Sequence, residues 1–333
     1  GINEQVNGDD YAFKGTPVFK DITAEVALPF RHTENDFIDF VRQPMMPHMQ
    51  SALGPKVAVG DVNGDGLDDF YIGGAKGQPG RLFIQKKSLQ FVSSNQQLFS
   101  ADAACEDVDA IFFDADQDND SDLYVVSGGN EYFNGSPELK DRLYINDGKG
   151  NFSKSALVPS IATNKSCVAT ADIDGDGDMD LFVGARSGEK AYGIVPRSYL
   201  LINDGQGRLT ESDSSSAPAL WRPGLISAAV FADMDNDRDP DLVLAGDWMS
   251  PIIYENHKGK ITASSGALKI PDSPGWWQSL TVTDIDNDGF QDILAGNYGL
   301  NTKVKASRES PLLMYVFDYD NNGVTEQLLA YPH

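Results

Sequence analysis

Nine residues, from Asp172 to Asp180, have types and a spacing suited to holding a metal ion. Carboxylates stand at loop positions 1, 3, 5, 7 and 9, and Gly177 stands at position 6. Odd positions of a tight loop turn towards one centre, and a glycine permits the left-handed bend, so the pattern predicts a calcium cage. Without a cation, carboxylates about 4 Å apart would repel by roughly 4 kcal/mol per pair at an effective dielectric constant of about 20.

The acidic loop occurs in six copies along the chain, of which this is the third. By analogy with other calcium loops, positions 1, 3 and 5 are expected to ligate through side chains, position 7 through its backbone carbonyl and position 9 through a carboxylate. We therefore expect about five or six calcium ions, since the six copies are not equally good. The predicted ligands, from the first loop to the sixth, are Asp61, Asn63, Asp65, Leu67 and Asp69; Asp114, Asp116, Asp118, Asp120 and Asp122; Asp172, Asp174, Asp176, Asp178 and Asp180; Asp233, Asp235, Asp237, Asp239 and Asp241; Asp284, Asp286, Asp288, Phe290 and Asp292; Asp318, Asp320, Asn322, Val324 and Glu326.

Two loops depart from the pattern in ways that bear on metal affinity. Position 6 of the fourth loop is Arg238, which adopts a left-handed backbone less readily than glycine or asparagine, so we expect that site to be the weakest. The sixth loop carries less charge because of Asn322 at position 5, and its occupancy is left open. A metal-free Asx-turn explains a single Asp-rich loop sequence, but it does not explain why that sequence is repeated between equivalent strands. An EF-hand is excluded, since Glu at position 12 and flanking helices are missing.

Short apolar runs flank the acidic loops and must position them. Val57–Val59 and Phe70–Ile72 enclose the first loop, and similar runs enclose the next four, which predicts buried strands joined by the loop as a hairpin. A second hairpin follows, marked by Asn-Asp-Gly turns at 146–148 and 203–205. Four antiparallel strands recurring about every 50 to 60 residues indicate an all-β fold, a β-propeller of four-stranded blades.

These repeats divide the chain into an N-terminal extension, residues 1–16, and a single propeller domain, residues 17–333. We expect residues 17–23 to form the outer strand of the closing blade. Residues 34–49 are the likeliest stretch for a short helix or long loop. The sixth repeat is incomplete, which suggests a piece of a longer protein, because an open blade leaves unpaired strand edges. The predicted repeats span about 54–93, 107–155, 166–212, 226–264, 277–306 and 312–333.

The acidic loops, with Gly73-Gly74-Ala75 after the first of them, resemble the FG-GAP or VCBS repeats of the integrin α-subunit propeller. The Phe19-Lys20-Asp21-Ile22-Thr23 opening, followed by the first loop, more narrowly resembles bacterial homologues of cartilage acidic protein. The resemblance covers residues 17–331. It implies about seven blades in the full-length protein, calcium in the first-hairpin loops and an exported setting. It implies no particular ligand.

The charge balance limits the partners that the protein can have. Fifty acidic and 26 basic residues give a net charge of −24, which argues against nucleic acid and anionic membranes and favours a cationic partner such as a metal ion. No apolar run is long enough for a membrane span. Cys105 and Cys167 permit at most one disulfide. Millimolar calcium is extracellular, so we expect an extracellular, cell-surface or periplasmic protein, monomeric or part of a longer chain.

The sequence contains no recognisable set of catalytic residues. The four histidines are scattered, no nucleophile or phosphate-loop motif occurs, and a calcium ion enclosed by protein oxygens has little room for substrate. The segment His32–His48 could cover one face and line a pocket, and Trp221, Trp248, Trp276 and Trp277 could stack on sugars, although packing roles are favoured for both. We therefore expect a non-enzymatic module that binds protein or glycan. The alternatives are the propeller of a secreted polysaccharide-active enzyme such as a lyase, and an architectural segment of a surface protein.

Overall fold

The structure is a computed structural model, and it describes residues 19–331 apart from 27, 88, 190, 214–216, 265–269, 300 and 303. In this part of the chain the regular structure consists of β-strands, paired antiparallel, and a few short helices. The predicted all-β class with four-stranded antiparallel sheets is confirmed. The number of blades in the full-length protein stays a prediction.

The first three sheets each contain four strands that pair in chain order. In each sheet the first two strands flank an acidic loop and the last two form the second hairpin. The strands of these sheets are β1 Val57–Gly60, β2 Asp69–Ile72, β3 Arg81–Lys86 and β4 Gln90–Ser94; β5 Asp107–Phe113, β6 Asp122–Ser127, β7 Arg142–Ile145 and β8 Ser153–Lys154; β9 Cys167–Ala171, β10 Asp180–Gly184, β11 Tyr199–Ile202 and β12 Thr210–Glu211.

The fourth sheet continues into the fifth strand pair. Asp247 and Met249 pair with Trp276 and Gly275, so a strand of the fifth unit hydrogen-bonds to the fourth sheet. The described residues of the fifth and sixth units form one strand pair each. The strands are β13 Leu225–Ala232, β14 Asp241–Met249, β15 Ile252–His257 and β16 Lys260–Ala263; β17 Gly275–Thr283 and β18 Asp292–Asn297; β19 Leu313–Phe317 and β20 Glu326–Ala330.

Adjacent sheets are arranged so that their first strands contact one another: β1 contacts β5, β5 contacts β9, β9 contacts β13, and β13 contacts β17. Each first strand ends at an acidic loop, and each second strand begins at position 9 of that loop, as in the pairing of Ala171 with Asp180. The first five acidic loops therefore lie at one end of the sheets. We call this end the loop face and the other end, where first strands begin and second strands end, the opposite face.

The core lies between neighbouring sheets. One cluster joins Tyr124 and Leu143 of the second sheet to Leu181 and Leu201 of the third, and all four side chains are almost completely buried. Fully burying a side chain of this size stabilises the fold by about 1.5–3 kcal/mol. The second strands β6 and β10 are buried along their whole length, as their continuous apolar runs predict.

The described part of the predicted outer strand, residues 17–23, is not a strand. Residues 17 and 18 lie outside the described residues, and from Phe19 to Ile22 no strand pairing occurs. Asp21 Oδ1 instead accepts a hydrogen bond from Thr23 N over 2.9 Å, an arrangement that favours the start of a helix. The helices are α1 Thr23–Val26, α2 Asp39–Arg42 and α3 Gln96–Ser100, with 3-10 helices at Pro137–Leu139 and Pro218–Leu220. Helix α2 lies within the 34–49 stretch where a short helix was predicted.

Candidate metal centres

Three hydrogen bonds shape each acidic loop. In the third loop Gly177 N donates to Asp172 Oδ2, Ile173 N to Asp180 Oδ2 and Asp178 N to Asp176 Oδ1, each over 3.1 Å. The same three bonds recur in the other five loops. The backbone N–H of position 6 donates to the side chain of position 1, that of position 2 to the side chain of position 9, and that of position 7 to the side chain of position 5. Six copies of one backbone scaffold therefore hold carboxylates at equivalent places.

Two positions of every loop, 4 and 6, have a left-handed backbone. In the third loop these are Gly175 and Gly177, with φ of 80° and 95°. Only position 6 was predicted. Arg238 adopts φ of 77° in the fourth loop, although an arginine is disfavoured there, and it keeps the hydrogen bond to position 1. The signal for position 4 was available in the sequence, because that position holds Gly or Asn in five of the six loops.

Carboxylates of the second, third, fourth and fifth loops converge within metal-binding distance. One oxygen from each member of a triad lies within 4.8 Å of the other two. Position 3 of the first loop is the amide Asn63, which donates to Asp69 Oδ2 over 3.0 Å. In the sixth loop Asn322 Nδ2 donates to Asp320 Oδ2 over 3.0 Å. The converging triads are Asp114, Asp116 and Asp122; Asp172, Asp174 and Asp176; Asp233, Asp235 and Asp241; Asp284, Asp286 and Asp292.

Several loop oxygens are buried without a hydrogen-bond donor among the described residues. In the second loop these are the Oδ1 atoms of Asp114, Asp116 and Asp120, and in the third loop Oδ1 of Asp178. A buried carboxylate oxygen without a donor destabilises a fold. A cluster of such oxygens is the donor set that a hard cation such as Ca²⁺ binds. The residues therefore fit calcium.

Burial and repulsion between neighbouring aspartates raise the pKa of several carboxyls in these two loops. Burial, then the neighbouring aspartates, raises the pKa of Asp120 and of Asp178 to about 6. Burial raises the pKa of Asp122 and of Asp180 to about 7, against the hydrogen bonds from backbone N–H groups. Carboxyls with such pKa values hold negative charge at neutral pH only at an energetic cost, which a cation would remove.

Position 9 also anchors the third strand of its own sheet. Asp180 is fully buried. Its Oδ2 atom accepts a hydrogen bond from the backbone N–H of Ile173, at position 2 of the loop. Its Oδ1 atom accepts one from the backbone N–H of Asn203 over 2.9 Å. Asp69, Asp122 and Asp241 accept the N–H groups of Gln85, Asn146 and Asn256 in the same way. These predicted ligands therefore have a structural role as well. The carbonyl role predicted for position 7 stays a prediction.

In the second, third and fourth sheets, the asparagine whose backbone N–H binds the position 9 aspartate also reaches the loop of the preceding sheet. Asn203 Nδ2 donates to Ala115 O, position 2 of the second loop, over 2.9 Å. Asn146 donates to Val62 O and Asn256 donates to Ile173 O, each over 2.8 Å. The Asn-Asp-Gly turns predict the hairpins, but this contact between sheets could not be predicted from them, because it depends on the packing of one blade against the next.

The His32–His48 segment lies across the opposite face. Arg42 Nη1 donates to Asn130 O over 2.6 Å, Asn35 Nδ2 donates to Glu131 Oε1 over 3.1 Å, and Gln43 donates to Gly188 O. Residues 130, 131 and 188 follow the second strands of the second and third sheets. The segment therefore covers one face of the sheets. The cavity near it is lined by Gln50 and Leu53 rather than by the segment itself.

Most of the remaining candidate side chains are packed. His257 is exposed instead, and one ligand atom from each of Asp237, Asp239 and His257 lies within 4.8 Å of the other two. Cys105 and Cys167 are free and buried. Trp248 packs edge-on against Trp276 with ring centroids 5.5 Å apart, and Trp221 lies under the guanidinium of Arg197. His32 pairs with Glu34 over 2.6 Å, and His257 Nδ1 lies 3.3 Å from Asp237 Oδ2. None of the helices in the described residues has the length and apolar character that crossing a membrane requires.

The fold and the loops define a class of protein, the repeat proteins built from propeller-type blades with an acidic loop in the first hairpin. The chain belongs to the FG-GAP-like repeat family, whose model matches residues 61–125, 114–183 and 233–295, together more than half of the chain. The predicted resemblance to integrin α-subunit repeats is thereby confirmed. The narrower resemblance to bacterial homologues of cartilage acidic protein stays a prediction.

The curated relatives and solved structures that are similar to this chain include the following two of each. Integrin alpha-IIb of Homo sapiens is 25% identical over 258 residues, 71% of this chain, and that of Mus musculus is 26% identical over 164 residues, 44% of this chain. The chain spans 24% and 16% of these relatives' lengths. The V. cholerae biofilm matrix protein Bap1 is 16% identical with a TM-score of 0.28, covering 83% of this chain and 34% of that one. A fructosyltransferase from A. japonicus is 13% identical with a TM-score of 0.35, covering 77% and 51%.

Proposed function

We propose that this chain is a calcium-stabilised, non-catalytic β-propeller module that acts in adhesion outside the cell or in the cell envelope. The observation that carries the proposal is the set of buried, donor-less carboxylate oxygens of Asp114, Asp116 and Asp120. Calcium would be held by the side chains at positions 1, 3, 5 and 9 and the carbonyl at position 7 of each loop, and its charge would cancel the repulsion between the aspartates.

The role proposed for calcium is structural. In each of the first four sheets, the position 9 aspartate binds both its own loop and its third strand. A cation that fixes this aspartate therefore fixes the hairpin and the strand next to it. Protein oxygens that fill most of the coordination sphere leave little room for an activated water, so catalysis at these sites is not expected.

An exported location follows from the same chemistry. Exposed loops with oxygen ligands suit the millimolar calcium found outside cells. Membership of the FG-GAP-like repeat family and the similarity to integrin alpha-IIb support an adhesion role. With a net charge of −24, the module is expected to bind a protein or a glycan rather than nucleic acid or a lipid surface.

The adhesion role is tested by presenting the calcium-loaded protein to an array of glycans and extracellular proteins. Binding that is specific and lost on chelation supports the proposal. Turnover of a polysaccharide by the purified protein would contradict it, because the product would reveal a catalyst rather than a binding module. The D116N variant serves as a control, since it removes one predicted calcium ligand without touching the opposite face.

A further inference from the structure

A cavity of about 490 Å³ opens on the opposite face, where the first strands begin. Four of its lining residues lie near the start of a first strand: Lys56 and Ser166 immediately precede β1 and β9, and Ser227 and Gln278 are within the first four residues of β13 and β17. The cavity therefore lies where the first strands of successive sheets converge, at the end remote from the acidic loops. Its volume falls within the roughly 300–1,000 Å³ of small-molecule sites.

An unpartnered amide lines this cavity. Gln50 is only 5% exposed, and its Nε2 atom has no hydrogen-bond partner among the described residues. Buried side-chain donors are normally paired, because an unmade hydrogen bond is unfavourable. A ligand with an acceptor oxygen in the cavity would satisfy this donor.

The charges around the cavity favour neither an anion nor a cation. Lys165 Nζ lies 3.3 Å from Asp141 Oδ1, and Arg186 binds Asp247 through two hydrogen bonds of 2.7 and 2.8 Å. Two of the three cations that line it are therefore neutralised by buried aspartates, and the third, Lys56, is exposed to solvent and close enough to Asp109 to attract its carboxylate. No carboxylate is present among the described lining residues, so a cation has no partner there. The net charge of −24 disfavours polyanions.

The rest of the lining offers hydroxyls, amides and an aromatic ring. Ser166 and Ser227 donate their hydroxyls to backbone carbonyls, which leaves each Oγ free to accept. Tyr298 packs against His48 with ring centroids 5.0 Å apart and contributes to the cavity wall. Donors, acceptors and an aromatic surface together match a molecule that has many hydroxyl groups on an otherwise apolar ring.

We propose that this cavity binds a neutral sugar residue at the end of a glycan. Gln50 donates to a sugar oxygen, the serine hydroxyls accept from sugar hydroxyls, and the ring of Tyr298 covers an apolar face of the sugar. This assignment rests on the proposed binding function and makes it specific, since it places a glycan on the face remote from the calcium loops.

The test uses the full chain saturated with calcium and the methyl glycosides of glucose, galactose, mannose and N-acetylglucosamine, with glucuronic acid and glucosamine as charged probes. Saturation-transfer NMR detects binding, and titration gives the affinity. We expect at least one neutral glycoside to bind, with the charged probes weaker. Q50L and Y298A should each lower the affinity about tenfold or more, the loss that removing one good contact produces. Q90L, which replaces an exposed glutamine on β4, is the matched control.

Two readouts separate a binding role from a structural one. Q50L should melt no lower than the unaltered protein, because it removes an unpartnered buried amide, while its sugar affinity falls. Magnetisation transfer between the Tyr298 ring and the bound glycoside locates the sugar in the unaltered protein. The proposal is overturned if no neutral glycoside binds, or if a bound sugar is unaffected by both variants. The proposed calcium role fails separately, if calcium leaves the melting temperature unchanged.

Discussion

Asn203 donates its side-chain amide to the carbonyl of Ala115, 88 residues earlier in the chain, over 2.9 Å. Its backbone N–H meanwhile binds Asp180 Oδ1, so one residue joins the third acidic loop to the second. Equivalent bonds from Asn146 and Asn256 repeat the connection around the sheets. Hydrogen bonds thus link the first four acidic loops in series, and we expect the stability of one blade to depend on the loop of its neighbour.

Replacing Asn203 by leucine should uncouple the second and third loops. The change removes the bond to Ala115 and the bond that Asn203 Oδ1 accepts from Asp204 N, so we expect a loss of about 1–3 kcal/mol in the free energy of unfolding. Urea unfolding in calcium measures it. N151L, at an exposed asparagine after the Asn-Asp-Gly turn of the second sheet, is the control. Equal stability of the two variants would contradict the coupling.

The substitution D116N should have opposite effects on stability with and without calcium. Burial, then Asp118 and Asp114, raises the pKa of Asp116. The isosteric change D116N therefore relieves repulsion in calcium-free protein, which should melt higher than the unaltered protein. In calcium the same variant loses a ligand, binds one ion fewer by native mass spectrometry and should melt lower. D68N, at an exposed aspartate outside the ligand positions, is the control. A shift of the same sign in both conditions would argue against a metal ligand.

A glycine at position 6 of the fourth loop should raise the stability of the protein and the calcium affinity of that loop. Arg238 holds φ of 77°, a conformation that disfavours a side chain by about 1–2 kcal/mol. R238G should therefore stabilise the calcium-loaded protein by about 1 kcal/mol and tighten the fourth site. Differential scanning calorimetry and calcium titration measure both changes. N236G provides a comparison at position 4, where asparagine already tolerates the left-handed backbone. A loss of stability in R238G would show that the arginine side chain makes a compensating contact.

Glu106 should make the folded state less stable as the pH rises. Burial, then repulsion from Glu131 and Glu34, raises its pKa from 4.5 to about 9. The folded protein keeps this proton while the unfolded chain loses it, so the stabilising contribution is complete below about pH 4.5 and is lost as the pH rises towards 9. E106Q should flatten this dependence and unfold at higher urea concentration than the unaltered protein at pH 8. E189Q, at an exposed glutamate, is the control. If stability depended on pH in the same way in E106Q, E189Q and the unaltered protein, the raised pKa of Glu106 would be refuted.

The sequence predicts the parts of this structure that local chemistry determines. Acidic positions such as Asp172 and Asp180 bracket a hairpin because their spacing suits one tight loop, and the apolar runs beside them predict the strands. The bond from Asn203 to Ala115 could not be predicted, because it depends on how one sheet packs on the next. Gln50 was missed for the same reason, since only the folded chain brings it to the cavity. The expected strand at 17–23 overlooked Asp21, whose side chain favours the start of a helix.

The most direct test of the central claim is thermal unfolding of the full chain with calcium, after chelation by EGTA, and after calcium is restored. We expect chelation to lower the melting temperature substantially, because the carboxylates of up to six loops then repel one another, and calcium to restore it. Magnesium at equal concentration should restore less, since it demands a smaller, stricter octahedral site. A melting curve that stays the same after thorough chelation would contradict the claim that calcium stabilises this protein.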